Sequence, residues 1–167
     1  MNQKKTKKRA KKSILLLVLA TLVLPVLGGH VSENTARQVA NQTLSRSSAT
    51  HSVDATQSSV QTVPQKTAQL LFKSSSSNNE IVYFYVFGGE NNEGFVIVSG
   101  DDRVLPVLGY SDTNSFPTDN IPENVTWWLG EYAKQIQFAI DNNIEPSPEI
   151  YQQWAQYLGT NDNKKEE

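Results

Sequence analysis

Gly100, Asp101, Asp102 and Arg103 stand between two apolar runs, FVIVS (residues 95–99) and VLPVLGYS (residues 104–111). Two adjacent carboxylates at a strand end are the residue types of a calcium ligand pair, or of a general acid and base. The same letters also spell a turn. Aspartate accepts hydrogen bonds from its own following backbone, and Arg103 can balance one carboxylate at the surface. The residues favour the turn with a local ion pair; metal binding is the alternative. Other chemistries find less to work with. The chain has no cysteine, so thiolate catalysis and disulfides are excluded. Its two histidines are His30 and His51, the second in a Ser/Thr-rich stretch that reads as solvated linker. A serine nucleophile therefore lacks its usual base, and no G-x-S-x-G elbow is present. Zinc draws on Cys and His, and the scattered glycines precede no Lys-Ser or Lys-Thr phosphate loop. No enzyme activity, metal or other cofactor is expected. Trp127-Trp128 could form a sugar-stacking platform. Asn41-Gln-Thr43 and Asn124-Val-Thr126 match the glycosylation acceptor pattern, which is short enough to arise by chance.

Seven of the fifteen Lys and Arg residues crowd into KKTKKRAKK (residues 4–12), ahead of the apolar run ILLLVLATLVL (residues 14–24) and Pro25. That is the layout of a secretory leader, and the run is well short of the roughly 20 apolar residues that span a bilayer. Cleavage is expected near residues 28–30, which makes residues 1–29 a signal peptide and the mature protein secreted or extracytoplasmic, off the membrane. Eight basic residues then face 17 acidic ones, a formal charge of −9 against −2 for the whole chain. So acidic a chain makes a poor nucleic-acid ligand and suits a cationic partner surface.

The elements that must position these residues read as α+β. Residues 31–44, with Ser32 as N-cap, form a short helix carrying Ala36, Val39, Ala40 and Thr43 on one face. Residues 45–64, rich in Ser, Thr and Gln, read as a flexible linker. A core unit of residues 65–159 follows. Strands are expected over 69–73, 81–87, 95–99 and 104–111, in an antiparallel sheet because the loops are short. Pro106 cannot donate to a ladder, which puts the last strand at an edge or in a bulge. Pro122 opens a helix whose stripe is Val125, Trp128, Leu129, Tyr132, Ile136 and Ile140, with Trp128 in the core and Trp127 off the stripe. Ser147, Pro148 and Gly159 bracket a last helix with Ile150, Trp154, Tyr157 and Leu158 inward. The charged tail, residues 160–167, is expected to be disordered. Helices packed on an antiparallel sheet of about four strands complete the expectation.

The run GFVIVSGDDRVLPVLGYSD (residues 94–112) resembles the signature of the propeptide of streptopain-family cysteine peptidases and of the free-standing inhibitors related to it. Its flanks fit as well. VYFYVF precedes it and SFPTDNIPENVTWWLGEYAKQI follows, with VSENTARQVANQTL similar to the family's N-terminal helix. The resemblance covers most of residues 31–142. In those peptidases a catalytic domain with a cysteine and a histidine follows, whereas this sequence looks like the propeptide alone. The resemblance implies a secreted inhibitor that occludes the active-site region of a streptopain-like cysteine peptidase in trans, monomeric when free. Alternatives are an orphan prodomain that assists such a peptidase's folding, or a surface module binding glycan or protein through Trp127. It also implies that the contacts come from the loop after the charged corner, with Ser111, Asn114, Ser115, Phe116 and Asn120 as the partner-binding residues. Whether the turn over residues 88–94 touches the target stays open.

Overall fold

The computed structural model describes residues 29–50 (side chains as far as Arg46), 67–89 and 93–159. The leader up to Gly28, residues 51–66 of the linker with His51, and the 160–167 tail lie outside them. The described elements run α1 (Glu33–Thr50), β1 (Gln69–Ser75), β2 (Val82–Gly88), β3 (Phe95–Ser99), β4 (Val107–Ser111), α2 (Glu123–Asp141) and α3 (Pro148–Leu158). The strands form one antiparallel meander in the order β1-β2-β3-β4. The fold is α+β, as the pattern of elements predicts.

Strand β2 explains why VYFYVF is apolar throughout. Successive side chains point to opposite faces, and both faces of this sheet are covered. Tyr85 and Phe87 join Val96 and Val98 in a core with Val39, Ala40 and Leu44 of α1 and Trp154 of α3. Phe84 and Val86 join Ile97 in a second core with Leu129 of α2 and Phe116. The layers are therefore α1 with α3, then the sheet, then α2.

Helix α3 follows its sequence signals closely. Ser147 Oγ accepts from the Ile150 N–H, Pro148 occupies the first turn, and Gly159 ends the helix at φ 70°. The Trp154 indole is buried and donates Nε1–H to the Val104 carbonyl at 2.9 Å. Both expectations for the last strand hold together: β4 is an edge, and its register shifts opposite Ile97 and Val98. The strand begins at Val107 and not at residue 104. Pro106 is buried ahead of it, lending its carbonyl to the Ser99 N–H at 3.0 Å.

Three expectations need correction. Helix α1 continues six residues past the predicted end at 44, into what reads as linker. Its last described turns dock on the end of α3: Gln38 and Gln42 donate to the Tyr157 carbonyl at 2.8 and 2.7 Å, and the Arg46 guanidinium lies over the Tyr157 ring. Trp128 is 40% exposed and so is no core residue. The sheet ends at β4, and the described residues leave the indole partly uncovered at the α2 margin. It rests on Gly109 and meets Tyr132 edge-on at 4.6 Å. The charged corner, finally, is buried and not at the surface: Asp101 is 2% and Asp102 8% exposed.

Candidate functional site

The corner is built as scaffold. Asp101 Oδ1 accepts from the Arg103 N–H at 3.0 Å, the turn bond that aspartate favours. The Arg103 guanidinium closes on the same carboxylate at 2.8 Å. Ser99 Oγ donates to the Asp101 carbonyl and accepts from its N–H. Gly100 is needed for close approach, because a Cβ there would lie 2.0 Å from the Val82 carbonyl oxygen. Residues 29–31 lie across the corner. Val31 N–H donates to the Gly100 carbonyl at 2.8 Å, the His30 backbone forms an isolated antiparallel β-bridge with Asp101, and Asp102 Oδ1 accepts from the Gly29 N–H at 2.7 Å. The Tyr85 hydroxyl donates to the Val31 carbonyl at 2.9 Å. Burial, and after it the Glu33 carboxylate, raises that phenol above its ordinary value. Both aspartates are thus engaged in turn and tie bonds, and neither is presented to a substrate. No group of three or more His, Cys, Asp or Glu able to hold a metal occurs among the described residues.

The loop over residues 111–122 has the opposite construction. Ser111 Oγ accepts from the Asn114 N–H at 3.0 Å, turning the chain off β4. Asn114, Ser115 and Asn120 are exposed, with Pro117, Thr118 and Asp119 between them also exposed. Phe116 is the exception, 6% exposed and packed edge-on against Phe95 at 5.4 Å. In the free chain this ring is the loop's anchor. Ile121 packs on the same core. Asn120 holds φ 54°, the left-handed region that Asn tolerates better than most residues. The Pro122 carbonyl then accepts from the Val125 and Thr126 N–H groups at 2.9 Å and starts α2. Of the five residues implied by resemblance, the structure therefore leaves three exposed, one half-buried at the strand end and one in the core.

Strand register adds a neighbour that sequence reasoning left open. Ser111 pairs with Phe95, and Phe95 with Gly88, so the β2–β3 turn and the loop leave the same end of the sheet. Gly94, at φ 80°, lets the two approach: a Cβ there would sit 2.8 Å from the Ser111 carbonyl oxygen. Trp127 lies one turn into α2, 68% exposed. Asn41, one glycosylation candidate, is used internally, its Oδ1 accepting from the Ala68 N–H at 2.7 Å. Asn124 is exposed.

The loop offers hydroxyls, amides and two carboxylates without a base-activated nucleophile. Residues 28–136 match the family model described as Spi protease inhibitor. The chain belongs to that family. Among curated relatives of this Spi inhibitor-family chain, "Thiol protease/hemagglutinin PrtT" of Porphyromonas gingivalis is 28% identical over 144 residues, 81% of this chain and 15% of that protein. "Streptopain" of Streptococcus pyogenes is 42% identical over 62 residues, 37% of this chain and 14% of that protein. The chain thus spans about 15% of the length of the curated relatives it matches. The resemblance to streptopain-type propeptides and inhibitors read from residues 94–112 is the relationship these matches show. No solved structure matches. No described helix is long and apolar enough to cross a membrane.

Proposed function

We propose that the chain is a secreted inhibitor of a streptopain-like cysteine peptidase, acting in trans by laying residues 111–120 over the active-site region. Family membership supports an inhibitory role, and the similarity to a thiol protease and to streptopain supports that class of target. The observation that carries the reading is the loop's construction. Exposed Asn114 and Ser115 are held between the end of β4 and the buried Phe116 ring, and exposed Asn120 between that ring and the first turn of α2. A polar segment fixed at both ends by rigid elements loses little entropy on docking. It would block sterically. The net charge of −9 without the leader fits a cationic partner surface. Titrating the exported protein into an active streptopain-like peptidase tests this, with stoichiometric loss of peptidase activity expected. Unchanged activity at saturating protein, together with faster refolding of the denatured peptidase, would instead assign the chain a foldase role.

A further inference from the structure

The two buried aspartates of the corner are not equally compensated. Asp101 has the Arg103 guanidinium at 2.8 Å. Asp102, 8% exposed, has one contact to its carboxylate, the Gly29 N–H at 2.7 Å. Among the described residues no Lys or Arg forms a salt bridge with it. A buried carboxylate held by a single neutral donor is under-compensated, because burial favours charge only where a counter-charge or several donors replace water. Gly29 N is also the atom whose chemistry leader removal would change. The residues before it, Val26-Leu27-Gly28, place a glycine at the last position and a small β-branched residue two before it, the small-residue pattern that leader peptidases accept.

We propose that the leader is removed at the Gly28–Gly29 bond and that the α-ammonium released on Gly29 becomes the counter-ion of Asp102. Water adds across the peptide bond. The carboxylate stays with Gly28, and the Gly29 amine takes a proton. A neutral amide donor at 2.7 Å is replaced by a cation with three N–H donors at the same place, which adds a counter-charge to the bond the carboxylate already accepts. The new terminus is already held in position. The Asp102 N–H donates to the Gly29 carbonyl at 3.1 Å, the Val31 N–H to Gly100, and the Tyr85 hydroxyl to Val31. Export and folding are thereby coupled: the corner reaches full stability only in the processed chain.

The test exports the full chain from a bacterial host and reads the mass of the released protein. Gly29 as first residue is expected, and any other first residue overturns the proposal. The exported protein and its Asp102→Asn variant are then melted before and after acetylation near neutral pH. Acetylation there reaches the α-amine ahead of lysine, whose pKa is about 10.4 against about 8. Acetylation should lower the melting temperature of the unsubstituted protein by about 4–8 °C, the shift expected for one net charge-assisted contact in a domain of this size, and leave Asp102→Asn unmoved. No shift in the unsubstituted protein, or an equal shift in the variant, overturns it. Should Asp102→Asn not fold, Asp102→Ser takes its place. Should neither fold, the shift of the unsubstituted protein decides alone.

Discussion

At one end of β3 the chain turns through Gly100, Asp101, Asp102 and Arg103; at the other, β4 opens into residues 111–122. Both segments are short, polar and bounded by apolar runs, and in the sequence the first looks the more chemical. Their construction reverses that impression. The corner's carboxylates are buried and turned inward, Asp101 to Arg103 and Asp102 to the Gly29 N–H, while Ser99 holds the Asp101 backbone. The loop buries one ring, Phe116, and leaves its polar side chains to solvent. Charge density therefore marks scaffold here, because a buried charge must be satisfied internally before the fold is stable. Exposure with an anchor is the basis on which the loop is proposed as the partner surface.

The sharpest way to break this contrast is at Arg103. Replacing it with methionine leaves the Asp101 carboxylate, 2% exposed, without its cation. We expect a loss of roughly 3–5 kcal/mol in urea unfolding, with inhibition by the remaining folded protein unchanged. A loss under 1 kcal/mol would mean the corner is not structural. Phe116→Ala comes next, at about 3 kcal/mol, the low end for a buried aromatic because the site lies at the sheet rim. Here inhibition should weaken as well, since the loop loses its anchor. Normal inhibition by a folded Phe116→Ala protein would detach the anchor from the function.

Much of this contrast was legible in the sequence, and the exceptions have physical causes. The caps of α3 are local signals, so Ser147, Pro148 and Gly159 could be read without tertiary knowledge. Pro106 likewise announced an edge or bulge through its missing N–H. The burial of Asp101 and Asp102 could not be read, because it depends on residues 29–31 crossing the corner some 70 positions away in sequence. The extension of α1 through Ser45 and Arg46 was hidden for the same reason: a Ser-rich run is a weak helix by propensity and is held by the end of α3. Trp128 was misplaced because helical period gives a face but not how far the sheet beneath it extends. The loop's functional role rests on resemblance. What the structure adds is that Phe116 is buried in the free chain and anchors the loop.

The two tryptophans sharpen the contrast at lower cost. Trp128 is 40% exposed but covers Gly109 and meets Tyr132, so Trp128→Ala should cost about 1–2 kcal/mol. Trp127, 68% exposed, should cost under about 0.5 kcal/mol. Thermal melts of both variants check this. If Trp127→Ala also weakens inhibition tenfold or more, the contact surface extends from the loop onto α2, as exposed tryptophans are favoured anchors. Equal destabilisation by both would contradict the observed helix phase.

The finest distinction is available at Asn120, which offers two separable properties. Its backbone sits at φ 54°, and its side chain is exposed beside the start of α2. Alanine at that φ is strained by roughly 1 kcal/mol, whereas glycine adopts it freely. Asn120→Ala should therefore lower stability slightly, and Asn120→Gly should leave it within about 0.5 kcal/mol. If the amide touches the peptidase, both variants lose inhibition alike, about tenfold for a contact worth roughly 1.4 kcal/mol. If only the backbone shape matters, Asn120→Gly inhibits as the unsubstituted protein does and Asn120→Ala alone is impaired. Paired inhibition constants and melting temperatures separate the two cases. Should neither variant lose inhibition, residues 111–120 meet the target elsewhere along the loop or not at all. The neighbouring β2–β3 turn, which leaves the same end of the sheet, then becomes the surface to mutate.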